Sequence, residues 1–341
     1  MKSIIKGFGA IAVAYFSVIV GWIAYSRWGI NHNLPLPPAI DARRERFLGQ
    51  RARFMSYYFD RSAAGRPLVL IHSINAAASA YEMRPIFEHY RKSRPVYALE
   101  LPGFGFSERS DREYSYTLYK DAIIDFLTAA LDEPADVITL SLSGEFAARA
   151  ALEHPGLFHT LTMISPSGFT ARENKVASQQ ASESQASNTF YNLFANPLWS
   201  QAFYDLIATK KSIHYFLQQS FEGKVDAGLE AYSYASSHQP GARYAPLYFV
   251  SGKLFTPDIR ESVYEKLMLP VLVIYDKDNF VRFDTLPDLV ENSPYWNAVR
   301  IAPTRGLPQF EKLGETAAAL DNFWREIRLA VPDGKTWKML E

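Results

Sequence analysis

Ser141 stands where an apolar run, Val137 to Leu140, meets an alanine-rich segment, Leu142 to Glu153. If the first is a strand and the second a helix, the serine occupies a sharp turn. Its hydroxyl then projects clear of the sheet, with a helix amino terminus beneath it. That placement suits a nucleophile in acyl transfer. Thr139 and Ser143, two positions to either side, are small enough for the backbone to turn tightly. Two alternatives use the same residues: Ser143 as the nucleophile, or both serines as helix caps. A serine nucleophile needs a general base, usually an imidazole oriented by a carboxylate. Asp276 and Asp278 follow the apolar run Val271 to Tyr275 and offer that carboxylate. The imidazole is the difficulty. The histidines are His32, His72, His89, His154, His159, His214 and His238, so none lies in the last hundred residues. With no cysteine in the chain, a thiol nucleophile, disulfides and thiolate metal sites are excluded.

The elements that must position these residues alternate from Pro67 onward, which predicts a parallel sheet with crossover helices. Strands are expected at Leu68 to Ile71, Val96 to Leu101, Val137 to Leu140, Leu161 to Ile164, Val271 to Tyr275 and Val299 to Ala302, after a short strand at Met55 to Phe59. They are compact apolar runs, as both-face burial requires. Helices fit at Tyr81 to Lys92, Leu118 to Leu131, Leu142 to Glu153 and Glu311 to Ala330. The alternation breaks between Ser167 and Met268. There a Ser/Gln/Ala-rich segment, Glu173 to Asn188, reads as a loop, and aromatic helical pieces follow it. An insertion of that kind, over the carboxyl ends of a sheet, is a lid.

The chain has 341 residues and no net formal charge, 36 basic side chains matching 36 acidic ones. A nucleic-acid binder would carry a basic excess. Gly7 to Tyr25 has no charged residue. Nineteen helical residues nearly span a hydrocarbon core, so a retained single-pass anchor is expected, with Trp22, Tyr25 and Trp28 at one interface. The alternative is a cleaved signal peptide ending near Ala24-Tyr25-Ser26. Basic residues flank both ends, so the side of the membrane is not chosen. Leu34 to Pro38 reads as a stiff extended spacer, and Arg43 to Arg53 as a basic, helical segment.

Three segments carry a family resemblance. They are Leu70-Ile71-His72-Ser73-Ile74-Asn75, Leu101-Pro102-Gly103-Phe104-Gly105-Phe106-Ser107, and Leu140-Ser141-Leu142-Ser143-Gly144-Glu145. Together they resemble the α/β-hydrolase fold family over roughly residues 55 to 330. The resemblance implies a mostly parallel sheet with helices on both faces and a helical lid, here preceded by one transmembrane helix. The expected division is an anchor at 1–33, a linker and basic segment at 34–54, a core at 55–166 and 269–335, and a lid at 167–268.

Residue by residue, the resemblance makes Ser141 the nucleophile, although the family's Gly-x-Ser-x-Gly reads Thr139-Leu140-Ser141-Leu142-Ser143 here. It assigns the oxyanion hole to the backbone N–H groups of Ile74 and Leu142, and the acid to Asp278 with Asp276 as runner-up. It fails at the base. Where the family pattern resembles Gly-His-x-Pro-His, Gly306 occupies the catalytic histidine's place and Gln309 the second histidine's. His72 is expected to brace the oxyanion loop or border the substrate, with lid residues Trp199 and Phe203 lining an apolar cleft. His214, His238 or His72 would be the substitute base if one exists. The expected function is a membrane-anchored esterase or lipase-type hydrolase of an apolar acyl substrate with an altered triad. The alternative is an inactive relative that binds an apolar or lipid ligand, or a membrane protein partner. No cofactor and no metal is expected.

Overall fold

The computed structural model describes residues 2–171 and 177–330, with side chains from residue 15 in the first helix and from residue 186 in the fifth. Eight strands form one sheet: β1 (Arg43–Gly49), β2 (Arg53–Asp60), β3 (Leu68–Ile71), β4 (Val96–Glu100), β5 (Ala135–Leu140), β6 (Phe158–Ile164), β7 (Val271–Tyr275) and β8 (Trp296–Arg300). Their spatial order is β1-β2-β4-β3-β5-β6-β7-β8. The pairs β1/β2 and β2/β4 are antiparallel and all others parallel. Every residue of β3, β4 and β5 is buried, which is why these strands read as unbroken apolar runs.

Helices follow in chain order: α1 (Lys2–Gly29), α2 (Arg84–Tyr90), α3 (Tyr116–Ala130), α4 (Ser143–Glu153), α5 (Ala177–Phe194), α6 (Ser200–Ile207), α7 (Lys210–Gln218), α8 (Ala227–Ser237), α9 (Tyr244–Val250), α10 (Ile259–Ser262), α11 (Leu286–Asn292), α12 (Pro308–Glu311) and α13 (Leu313–Ala330). One sheet face is covered by α3, α4 and α11 through Phe126, Phe146 and Leu286. The other is covered by α2 and α13 through Phe87, Leu320 and Phe323. Fully buried phenylalanines such as Phe87 and Phe146 each contribute about 2–3 kcal/mol of transfer free energy.

The expected strands all form, with ends shifted by one to three residues for β2, β4, β5, β6 and β8. Three readings change. Arg43 to Gly49 is an edge strand paired with β2 rather than a helix; its exposed Arg43, Arg44, Glu45 and Arg46 are the charges that keep a free edge from pairing further. The Ser/Gln/Ala-rich stretch is helical from Ala177, since Ala, Gln and Glu favour a helix and no glycine or proline interrupts it. The spacer Leu34 to Pro38 is tied down: Leu34 N–H donates to His238 O at 3.2 Å, and Gln239 Nε2 donates to Leu34 O at 2.7 Å. Residues 331–335 of the expected core lie outside the described residues.

Among the described residues no helix is long and apolar enough to cross a membrane. The anchor expectation rests on Gly7 to Tyr25, whose side chains before residue 15 lie outside them. What is described of α1 is apolar and outward-facing at Tyr15, Phe16, Val18, Ile19, Tyr25 and Trp28. Its carboxyl end docks on α6: Trp22 Nε1 donates to Ala202 O at 2.8 Å, and buried Ser26 donates to Asp205 Oδ2 at 2.6 Å.

Candidate active site

Ser141 lies one residue past β5 with φ of +56°, a left-handed conformation that a side chain rarely tolerates. Its N–H donates to Ile164 O at 2.8 Å, and the next residue, Leu142, already has helical angles. The small hydroxyls that replace the family's glycines are satisfied inside the turn. Ser143 Oγ donates to Leu140 O at 2.8 Å and is fully buried, which removes it as a rival nucleophile. Thr139 Oγ1 donates to Thr162 O at 3.3 Å. Ser141 Oγ makes no hydrogen bond among the described residues.

Sheet register aligns the other parts. Ile71 pairs with Thr139 across β3 and β5, so Ile74 and Leu142 each lie three residues beyond a matched pair. Neither amide has an acceptor among the described residues, as an oxyanion hole requires. The β3 loop is held by Glu82, a residue that sequence reasoning missed. Its Oε2 accepts from Ser73 N–H at 2.9 Å, and its Oε1 accepts from Ser73 Oγ at 3.0 Å and Asn75 Nδ2 at 2.9 Å. Burial pushes the Glu82 carboxyl up to about 7 against these donors. Nothing in the residue pattern marks a glutamate as buried; the signal is tertiary. From the cap, Tyr204 donates its hydroxyl to Ala76 O at 2.8 Å and pins the same loop.

His72 is fully buried behind this loop. Its Nε2 accepts from Leu101 N–H at 3.0 Å and its Nδ1 lies 2.6 Å from Ser73 O, so both ring nitrogens are used. Burial lowers its pKa to about 4. It therefore braces the loop; the expectation that it borders the substrate is corrected, because no ring atom reaches solvent. Trp199 and Phe203 contact cap residues: Trp199 Nε1 donates to Leu193 O at 2.7 Å, and Phe203 stacks on Phe194 at 4.2 Å. These contacts do not bring either of them to Ser141.

Asp278 and Asp276 have different jobs. Asp276 is buried and spends both oxygens, accepting from Arg300 Nε at 2.7 Å and Thr304 N–H at 2.8 Å. Burial raises its pKa, but these donors outweigh that and leave it below the usual carboxylate range. Asp278 accepts from Phe280 N–H at 2.7 Å and Val281 N–H at 3.3 Å, both at Oδ1, leaving Oδ2 free. Burial raises its pKa, which those two amides only partly oppose. Its free oxygen faces Gly306: a Cβ built there would lie 2.8 Å from Oδ2. Gly306 thus abuts Asp278. It has φ of +93°, however, and carries no side chain to relay a proton. Gln309 points away, donating to Glu82 O at 3.1 Å.

All seven histidines are committed elsewhere among the described residues. His32 meets Asp205, His154 meets Glu153, His159 meets Asp136 and His214 meets Glu230. His89 packs edge-on against Tyr90. His238 is buried, with Nδ1 2.8 Å from Tyr234 O, and burial lowers its pKa. Neither lid histidine reaches down to the serine. A second missed residue, Glu145, lies one helical turn after Ser141. It accepts from Ser167 Oγ at 2.5 Å and from Thr256 N–H at 3.0 Å, joining the nucleophile helix to both ends of the cap. Burial pushes its carboxyl up to about 7.

Comparison with known proteins agrees with this geometry. A 2-hydroxymuconate semialdehyde hydrolase of Pseudomonas sp. (strain CF600) is 33% identical over 111 residues, 32% of this chain and 39% of that protein. The 1-acylglycerol-3-phosphate O-acyltransferase ABHD5 of Rattus norvegicus is 31% identical over 110 residues, 31% of each chain. The chain's matches thus span well under half of these relatives' lengths. Among solved structures, a serine hydrolase involved in carbazole degradation superposes with a TM-score of 0.64 at 17% identity, covering 83% of this chain and 99% of that one. A bacterial membrane phospholipase A superposes with a TM-score of 0.64 at 18% identity, covering 96% and 99%. The alpha/beta hydrolase family model matches residues 68–319, a span that runs from β3 through the serine turn and the cap to α13. With its sheet order, its strained serine and its acid after β7, the chain belongs to the alpha/beta hydrolase family.

Proposed function

We propose that this protein binds an apolar acyl ligand, an ester or lipid, at a membrane to which α1 tethers it, and that Ser141 turns such esters over slowly. One observation carries the reading: Gly306, not an imidazole, faces the free oxygen of Asp278. The serine turn and the two unpaired amides supply a nucleophile position and an oxyanion hole, while proton transfer is deficient. Losing one triad member lowers kcat by about 10⁴–10⁶-fold, and the remaining rate comes from the oxyanion hole and binding. The aromatic cap and the exposed apolar residues of α1 support an apolar, membrane-borne ligand. So does likeness to proteins named as an acylglycerol-phosphate acyltransferase and a membrane phospholipase A.

A second reading is a purely binding protein for an apolar ligand or a membrane protein partner. The commitment of every histidine to other partners favours it. A fluorophosphonate probe separates the two. Slow labelling of the full chain that disappears in Ser141→Ala supports the hydrolase reading. No labelling after prolonged exposure, with the fold intact, overturns it in favour of binding.

A further inference from the structure

Two polar atoms lie close to Gly306, and neither has a hydrogen-bond partner among the described residues. Asp278 Oδ2 accepts no hydrogen bond, and no lysine, arginine or histidine pairs with this carboxylate among the described residues. Ser165 is 2% exposed and its Oγ makes no hydrogen bond. A Cβ on Gly306 would lie 2.8 Å from Asp278 Oδ2 and 4.0 Å from Ser165 Oγ. Ser165 is also strained, with φ of +45°. Register sets it beside the nucleophile: Leu140 pairs with Ile164, so Ser141 and Ser165 both stand one residue past that pair, on strands about 4.8 Å apart.

The place is rich in acceptors and lacks a cation. Asp278 is partly buried and carries no counter-charge, so an incoming donor at Oδ2 is favourable. Burial holds the Asp278 carboxyl above its usual range, consistent with an unmet need for such a donor. We propose that this place beside Gly306 binds a neutral imidazole-type ring carried by the ligand, its N–H donated to Asp278 Oδ2 and shared with Ser165 Oγ and its second nitrogen left with a free lone pair, and that this base stands in for the missing imidazole. The inference rests on Ser141 being the acyl acceptor.

The step balances. The Ser141 hydroxyl proton passes to the nitrogen lone pair as Oγ bonds to the acyl carbon, and the carbonyl electron pair moves to the oxygen facing the Ile74 and Leu142 amides. The bond to the leaving oxygen then breaks, and the nitrogen returns the proton to it. Water enters by the same path and regenerates the serine.

Imidazole itself is the probe, added to the full chain in detergent at pH 7.5. The unfolding temperature should rise saturably with imidazole, and fluorophosphonate labelling of Ser141 should accelerate tenfold or more with the same half-saturation. Asp278→Asn keeps an oxygen for the Phe280 and Val281 amides and should remove both responses. Ser165→Ala should weaken them about threefold. No saturable shift in the wild type, or an equal shift in Asp278→Asn, overturns the site. Saturable binding with unchanged labelling upholds the site and overturns the role of Ser141, so the two failures are distinguishable.

Discussion

The turn at Ser141 and the turn at Gly306 stand over the same carboxyl edge of the sheet, and both hold a residue at positive φ, +56° and +93°. Around the serine, the flanking side chains are paired, while Ser141 Oγ and the Ile74 and Leu142 amides stay open. Ser143 closes on Leu140, Thr139 on Thr162, and Glu145 ties the helix to the cap. Around the glycine they are not: Asp278 Oδ2, Ser165 Oγ and Gln309 Oε1 have no hydrogen-bond partner. The side chains flanking Ser141 are hydrogen-bonded, and those beside Gly306 keep unpaired oxygens.

The strongest way to break that contrast is to give the glycine turn a side chain. Gly306→Ala and Gly306→His both force a Cβ into left-handed backbone, 2.8 Å from the Asp278 carboxylate. Each should lower unfolding free energy by about 2 kcal/mol, measured by urea denaturation. Because the loss comes from the backbone, the two should agree closely. Gly306→His should then gain less than tenfold in p-nitrophenyl ester hydrolysis, since its ring cannot settle without moving the loop. A hundredfold gain at unchanged stability would mean that the turn still accepts an imidazole.

A smaller effect tests what the two regions share. Gln309, from the glycine side, donates to the Glu82 carbonyl, and the Glu82 carboxyl holds the oxyanion loop of the serine side. Burial raises the folded pKa of Glu82 to about 7 from 4.5. Between those values the native state holds more protons than the unfolded state, so this group's contribution falls as pH rises. Glu82→Gln has no such titration. Its unfolding temperature relative to wild type should climb from pH 5 to pH 6, by the equivalent of about 1 kcal/mol. A constant difference across that range would mean that the carboxyl titrates normally.

Much of this fold is legible in the sequence. The strand–serine–helix junction and the Leu-Pro-Gly-Phe-Gly turn announce themselves by apolar runs ending in small residues. The edge strand Arg43–Gly49 was hidden because its exposed charged residues carry no alternating apolar signal. Glu82, Glu100 and Glu145 were hidden for a different reason. Each is fully or almost fully buried, with its carboxyl pushed up to about 7, and the donors that meet it come from loops outside its own element. That no histidine follows His238 could be read from the sequence, and so could a glycine at 306. The conformation that Gly306 adopts there could not, since φ is set by the loop and not by the residue name.

Ser141→Gly offers the finest test, because it reverses the sign of the glycine experiment. Glycine takes φ of +56° without strain, whereas serine there costs about 1–2 kcal/mol. Against that gain, glycine frees the unfolded chain by about 0.5–1 kcal/mol. The balance is a stabilisation of about 0.5 kcal/mol, read as a higher urea midpoint at unchanged slope. Because Ser141 Oγ has no hydrogen bond to lose, nothing in the folded state offsets it. Loss of stability instead would show that the hydroxyl is bound in the resting protein, and the serine turn would then be a structural device rather than a strained, waiting nucleophile.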